Sequence, residues 1–427
     1  MKVKKSTLMQ YVLIYIMLII PGSCLFAKVL TGNIKYICVL GLFAFLFFTR
    51  KKYQKPYAIL FSGIVLVIVF FQRMLTGGVG ISAWMQFAVC LLSTQFAIAC
   101  NKEAFLDRWI RVVVFFSVVS VIFWLLFCAF PNLVNLWPAQ TYFTQAIGSR
   151  GWEVNWHGKG VLLYSYLEIH PTRNCGIYTE PGVYQVVLNS ALYILFFWKE
   201  KLQFTGFKQY RTFVAVIIIT LISCQSTTGY IGLILNLVFF FVLRQKENRM
   251  IVKIKRYVLL AVIIGIIAIL IEYSFNGTNS ILYQQIIVKL FGTSNTGIIN
   301  LTEGSGRYRI GTILFSLNVI SRNPFGVGYD TFALLKNDFG QGLVAASIAS
   351  FAAIYGIIPW GIMMILIFKP VFSREKRALA WLFVLLFVNT TLAQTDLLYP
   401  ALLMIPTYLM LNRAPLDKSL ELKKGMV

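Results

Sequence analysis

Two stretches of this chain carry residue types that can hold an anion and move a proton. The first reads Glu168-Ile-His170-Pro-Thr-Arg173-Asn-Cys-Gly176-Ile-Tyr178-Thr179-Glu180-Pro181-Gly182. Thr179 or Glu180 before Pro181 marks a helix start, because proline is tolerated in a first turn. The positive end of that helix, with Arg173 and Glu180 beside it, can bind an anion through backbone N–H groups and a guanidinium. The same two side chains could equally pair with each other and cap the helix. The second stretch reads Glu303-Gly304-Ser-Gly306-Arg307-Tyr-Arg309, then Ser321-Arg322-Asn-Pro324-Phe-Gly326-Val-Gly328-Tyr329-Asp330. Gly-Ser-Gly leading into a helix that opens with Arg307 forms an anion cradle, and the planar arginine fork suits two oxygens of a diphosphate. A surface helix whose Arg307 and Arg309 touch lipid phosphates would give the same pattern. Arg309, Arg322, Tyr178, Tyr329 and Asp330 complete the candidate binding residues of the two stretches. Glu180 and His170 are titratable side chains of the first stretch that can take up a proton.

Other chemistries lack their residues. The two histidines, His157 and His170, fall in no His/Cys/carboxylate spacing that reads as a metal site, and no cofactor is expected. No Gly-x-x-x-x-Gly-Lys-Ser/Thr loop is present, so a nucleotide is not the energy source. Seven cysteines, mostly within apolar runs, imply no disulfide framework.

The elements that position these stretches follow from composition. The chain is 58% hydrophobic and 13% charged, with a mean hydropathy of +0.75, which excludes an ordinary soluble domain. Its net charge of +24 is divided among short tracts and not gathered on one domain, so it reads as membrane topology and not as nucleic-acid binding. Apolar runs near 9–30, 35–49, 57–72, 82–100, 111–130, 181–198, 211–225, 227–243, 257–273, 344–368, 378–393 and 396–411 predict about twelve membrane-spanning helices in a single all-α polytopic domain over residues 1–427. Threading the chain through a bilayer in this order puts seven basic tracts on one face: Lys2–Lys5, Arg50–Lys55, Lys102–Arg111, Lys199–Arg211, Arg244–Arg256, Lys369–Arg377 and Arg413–Lys424. By the positive-inside rule that face is cytoplasmic, as are both termini. The tract at Lys2–Lys5 and the apolar run to Cys24 resemble a signal peptide, but a run this long reads as a first span.

Two long connections, 131–180 and 274–343, are then extracytoplasmic, and both chemical stretches lie in them. The first carries Trp137, Tyr142, Trp152, Trp156, Tyr164 and Tyr166, either an interfacial aromatic belt or a platform for sugars. Residues 307–320 place Ile310, Ile313, Leu314, Leu317 and Ile320 at helical spacing. Their reach of about 21 Å is short of a hydrocarbon core of about 30 Å, which predicts an amphipathic helix lying on the outer surface.

Arg173-x-x-Gly176-x-x-x-Glu180-Pro181-Gly182 opening a span resembles the first-loop pattern of Wzy-type polysaccharide polymerases. Gly304-Ser-Gly-Arg307 followed by Pro324-x-Gly326-x-Gly328 is similar to the second-loop pattern of the wider O-antigen polymerase and ligase superfamily, as is Ser226-Thr-Thr-Gly229 at the start of a span. The resemblance covers the central half of the chain. It implies a glycosyltransferase in the bacterial cytoplasmic membrane, working on the outer face. Such an enzyme joins oligosaccharide repeat units carried on undecaprenyl diphosphate into O-antigen or capsular polysaccharide. The departing lipid diphosphate supplies the energy. Arg173 and Arg307 match the family arginines that hold the diphosphates, with Glu180 or His170 as base. Membrane lipids and a chain-length regulator are the further partners this reading allows; nucleic acid is not one. The alternative is an O-antigen ligase, but the histidine that ligases carry before the span after the second loop is missing from Gly342-Leu-Val-Ala-Ala-Ser-Ile-Ala. Gly311 stands where the family often has an aromatic. A lipid-linked sugar flippase is a further alternative, for which shorter loops and a charged cavity are expected.

Overall fold

The computed structural model describes residues 5–30, 32–54, 63, 66–67, 81–136, 140–147, 152–160, 162–168, 170–243, 267, 271–277, 304–338, 346–394 and 397–412. The described chain is mostly helical. The N-terminal part holds α1 (Lys5–Ile19), α2 (Ile34–Thr49), α3 (Ile81–Cys100) and α4 (Lys102–Ala129). Asn101 separates α3 from α4, and its side-chain oxygen accepts from the Ala104 N–H at 3.2 Å, a cap on the first turn of α4. The central part holds α5 (Pro181–Phe197), α6 (Phe207–Ser223) and α7 (Thr227–Leu243). Then follow α8 (Gly304–Arg322), α9 (Tyr329–Asp338), α10 (Ser347–Tyr355), α11 (Ile357–Arg374), α12 (Arg377–Thr391) and α13 (Pro400–Leu411).

Among the described residues, α4 and α11 are long and apolar enough to cross a membrane, and several shorter apolar helices of 10–17 residues accompany them. The boundaries expected for 35–49, 82–100, 181–198, 227–243 and 378–393 agree with the observed helices to within two residues. The expected spans 57–72 and 257–273 lie mostly outside the described residues, as does the tract Arg244–Arg256.

α5 and α13 form the centre of the bundle and are buried almost all round. α1 and α13 pack on α3, α7 packs on α5 and α12, and α6 on α4 and α5. The outer helices bury one stripe and expose another that is equally apolar: Phe115, Val118, Ile122 and Leu125 on α4, and Ile231, Ile234, Val238 and Val242 on α7. A soluble bundle would place polar residues on such faces.

The two ends of the bundle differ in chemistry. Residues in or beside six of the seven basic tracts meet at one end. There Lys52 Nζ donates to the Cys100 carbonyl at 2.8 Å, and the Cys100 thiol reaches the Ser6 carbonyl. Arg108 bonds Thr7 and Gln10, and Arg111 donates to the Gln203 carbonyl at 2.7 Å. Trp198 Nε1 donates to Glu375 at 2.9 Å, and Arg374 to the Asn412 carbonyl at 2.9 Å. The opposite end holds the close of α1, the start of α5, and the α6–α7 and α12–α13 turns.

Three features correct the sequence expectation. The run 9–30 is not one helix: α1 stops at Ile19, Gly22 adopts φ +136°, and the chain then pairs with the first long loop. The run 344–368 is broken at Gly356 (φ +93°) into α10 and α11. Ser347 N–H bonds the Gln394 carbonyl at 3.1 Å, and Gly356 begins the helix that runs to Arg374 at the basic end. Both ends of α10 are therefore at the end opposite the basic tracts, and α10 runs across that end. Finally, the first long loop is not purely helical. It holds a short 3-10 turn (Pro131–Leu136) and an antiparallel sheet in the order β1 (Gln140–Ile147), β2 (Trp152–Lys159), β3 (Tyr166–Leu167). Gln140 pairs with Gly158 and Ile147 with Trp152, with a bulge between Thr141 and Phe143. The aromatic and β-branched content of these two runs fits a pleated ribbon better than a helix.

Candidate functional site

The segment 173–179 is drawn into the non-basic end of the bundle, and Asn174 anchors it. The buried Asn174 amide donates to Ser120 Oγ of α4 at 3.2 Å and to Ser223 Oγ of α6 at 2.9 Å, while its oxygen accepts from the Gly176 N–H at 3.0 Å. Gly176 has φ +57°, and a Cβ there would lie 2.7 Å from the Tyr184 ring, so no larger residue fits. The Tyr184 hydroxyl is itself held by Ser120 at 3.0 Å and Ser117 at 3.4 Å. Beyond this point 177–179 pairs with the end of α1: Cys24 N–H bonds the Ile177 carbonyl at 2.9 Å, and Thr179 N–H bonds the Gly22 carbonyl at 3.0 Å. Cys175 sits in this plug, where burial pushes its thiol well above the ordinary range and keeps it unreactive.

The expected residues separate accordingly. Tyr178, expected to contact substrate, is 2% exposed and packs on Tyr184 with ring centroids 5.5 Å apart, so it is part of the core. Arg173 is half-buried, and its guanidinium donates to the carbonyls of Cys224 at 3.3 Å and Gln225 at 2.9 Å. It thus satisfies the C-terminal end of α6, and Gln225 takes φ +49° in the tight turn that presents its carbonyl. His170 is half-buried within a turn whose N–H bonds Leu167 and whose carbonyl accepts from Arg173 N–H. Tyr164 and Tyr166 stack on Phe123 and Phe127 at the far end of α4, which accounts for two of the loop aromatics as packing; burial raises the Tyr164 hydroxyl above its usual range.

Glu180 is the N-cap residue of α5 and is exposed to a polar cavity of about 220 Å³. The cavity lies among the end of α1, the starts of α2 and α5, and the α12–α13 turn, with Lys35, Tyr36, Gln86, Thr179, Gln394 and Tyr399 in its wall. Lys35, Gln86 and Gln394 stand outside the motifs, and only the close approach of distant helix ends reveals them. Gly182 of the Glu-Pro-Gly run has a steric reason: a Cβ there would strike the Gln394 amide nitrogen.

The second-loop residues form a layer over the same end. α8 begins at Gly304, so Gly304-Ser-Gly306 is its first turn and not a loop before it. Arg307 lies in that helix, with its side chain outside the described part. Arg309 is half-buried, and burial holds its guanidinium below the usual range; Arg322, Tyr329 and Asp330 are exposed. α8 turns Thr312, Phe315, Ser316 and Val319 inward and packs on α10, while Ile310, Leu314 and Leu317 of the expected stripe face outward. The Pro324–Gly328 turn docks backbone to backbone on the α10–α11 break: Val327 N–H bonds Ala353, Gly328 N–H bonds Ile354, and Ile357 N–H bonds the Pro324 carbonyl, all near 3.0 Å. A Cβ on Gly326 (φ +86°) would lie 2.6 Å from Gly356 N.

No family model, curated protein or solved structure matches this chain. The described residues contain no group of His, Cys, Asp and Glu that could hold a metal ion.

Proposed function

We propose that this chain is a membrane glycosyltransferase that polymerises oligosaccharide units carried on undecaprenyl diphosphate, on the outer face of the bacterial cytoplasmic membrane. The observation that carries this reading is the position of Glu180. A carboxylate from the family-like Arg173…Glu180-Pro-Gly pattern opens onto a polar cavity at the end of the bundle opposite the basic tracts. The outward apolar faces of α4 and α7 support membrane insertion, and the clustering of basic residues supports a cytoplasmic assignment for their end.

In this reading the acceptor hydroxyl oxygen bonds to the anomeric carbon of the donor chain. The bond from that carbon to the phosphate oxygen breaks, and its electron pair departs with the lipid diphosphate. Glu180 takes the hydroxyl proton, as a general base within reach of a bound sugar. The departing charge is met by Arg309 of α8 and, as the family resemblance implies, by Arg307, in the manner of electrostatic stabilisation of a leaving group. Arg173 acts indirectly by holding the α6–α7 turn and the plug that positions Glu180.

The test is Glu180→Gln in a cell whose own copy is deleted. The expected result is single repeat units in place of long chains at normal protein level, a drop of about 10²-fold or more in polymer. Long chains at wild-type yield would end the proposal.

A further inference from the structure

The cavity beside Glu180 has its own chemistry. Tyr36 OH donates to Gln86 Oε1 at 3.4 Å, and Tyr399 OH donates to Gln394 Oε1 at 3.4 Å. Each glutamine therefore has its oxygen held by a tyrosine and turns its NH₂ donors away from it. Gln394 is 7% exposed, yet its amide nitrogen finds no hydrogen-bond partner among the described residues while it lines the cavity. Facing the cavity, that amide can donate to whatever enters it. Lys35 Nζ donates to the Phe26 carbonyl and lies 5.1 Å from the centroids of Phe26 and Tyr36, which fixes the ammonium and leaves two further N–H donors. Across the cavity Glu180 offers acceptor oxygens.

One cation and one carboxylate make the lining neutral in sum, which disfavours a diphosphate. Donors from Lys35, Gln86 and Gln394 facing acceptors from Glu180 suit a ligand whose every edge is hydroxyl. About 220 Å³ is below the ~300–1,000 Å³ of pockets that enclose drug-sized ligands, so the cavity takes one ring and any further units of a chain lie outside it. We propose that this cavity is a subsite for a single sugar ring, held by Lys35, Gln86 and Gln394, with the hydroxyl of that ring presented to Glu180. The proposal deepens the glycosyltransferase reading and rests on it for the origin of the sugar.

The experiment uses the full chain in lipid nanodiscs and a panel of methyl glycosides, read by saturation-transfer NMR. At least one glycoside should bind the wild type, and its binding should weaken about tenfold in Gln394→Met and in Lys35→Met. Gln86→Met, at a half-buried position, serves as a second amide variant should Gln394→Met fail to fold, and thermal melting identifies such a failure. Silence of every glycoside with the wild type, or wild-type binding in these folded variants, would overturn the subsite. Displacement of the glycoside by inorganic pyrophosphate would overturn it in favour of an anion site. If the glycoside binds and the variants lose it, but Glu180→Gln still makes long chains in cells, the subsite stands and the polymerase reading falls.

Discussion

The basic end and the opposite end of the bundle are held together by different means. At the basic end long cationic side chains reach across to carbonyls, as Lys52 does to Cys100 and Arg374 to Asn412. Such contacts tolerate displacement, because a flexible stem can follow a moving partner. At the opposite end backbone meets backbone: 22–24 pairs with 177–179, and 324–328 pairs with 353–357. Glycine lets these chains approach, and within these backbone pairs no side-chain stem absorbs an error; Arg173 and Lys35, which reach carbonyls at this end, lie outside them. The cavity with Glu180 is at the second end. Long charged stems thus join the elements at one end, and close backbone contact fixes the geometry at the other.

Substitutions at the two ends should break that contrast unequally. The largest loss is expected for Gly326→Ala or Gly356→Ala, which force a Cβ against backbone atoms 2.6 Å away at positive φ. Either should cost about 3 kcal/mol or more, seen as a collapsed melting transition in detergent. Gly176→Ala follows at about 2–3 kcal/mol, because the Tyr184 ring it would meet is held by Ser117 and Ser120 and cannot retreat. Arg173→Ala should cost about 1–3 kcal/mol of stability by leaving the Cys224 and Gln225 carbonyls without their charged donor. Unchanged melting with lost polymer would instead make Arg173 a substrate contact and erase the separation between its role and that of Glu180.

The smallest effect belongs to the basic end. Burial raises the Glu375 carboxyl above its usual range, partly offset by Lys201 and by the Trp198 N–H. The folded protein therefore binds this proton more tightly than the unfolded chain does. Stability from this group is full at acidic pH and falls as pH rises from the ordinary carboxylate range to the raised value. Glu375→Gln keeps an acceptor for Trp198 and should flatten that slope, measured as melting temperature against pH.

Most helix boundaries were legible because apolar runs end at charged residues or at Gly, Pro and Asn, as at Asn101 and Pro181. The division of basic tracts was legible for the same reason. The break at Gly356 was not, because the residues around it are as apolar as a continuous span and the break exists only through pairing with Pro324–Gly328. Tyr178 read as a ligand contact because sequence places it in a loop, and the loop turns out to be a plug. Arg173 and Glu180 are seven residues apart in one motif. The structure gives the first to a helix end and the second to the cavity. Lys35, Gln86 and Gln394 carry no local pattern at all; they are distant in sequence and meet only in the folded chain.

The pairing of Gly22 with Thr179 also sets a timetable. The two residues are 157 positions apart. At a synthesis rate of roughly 5–20 residues per second, the end of α1 waits about 10–30 s after it is made before its partner leaves the ribosome. Until then the first helix must hold its place without that partner, with the carbonyl of Gly22 served by water. Assembly of the cavity wall is therefore a late event in biosynthesis, and a chain cut short before α5 would form its first helices without ever building the site.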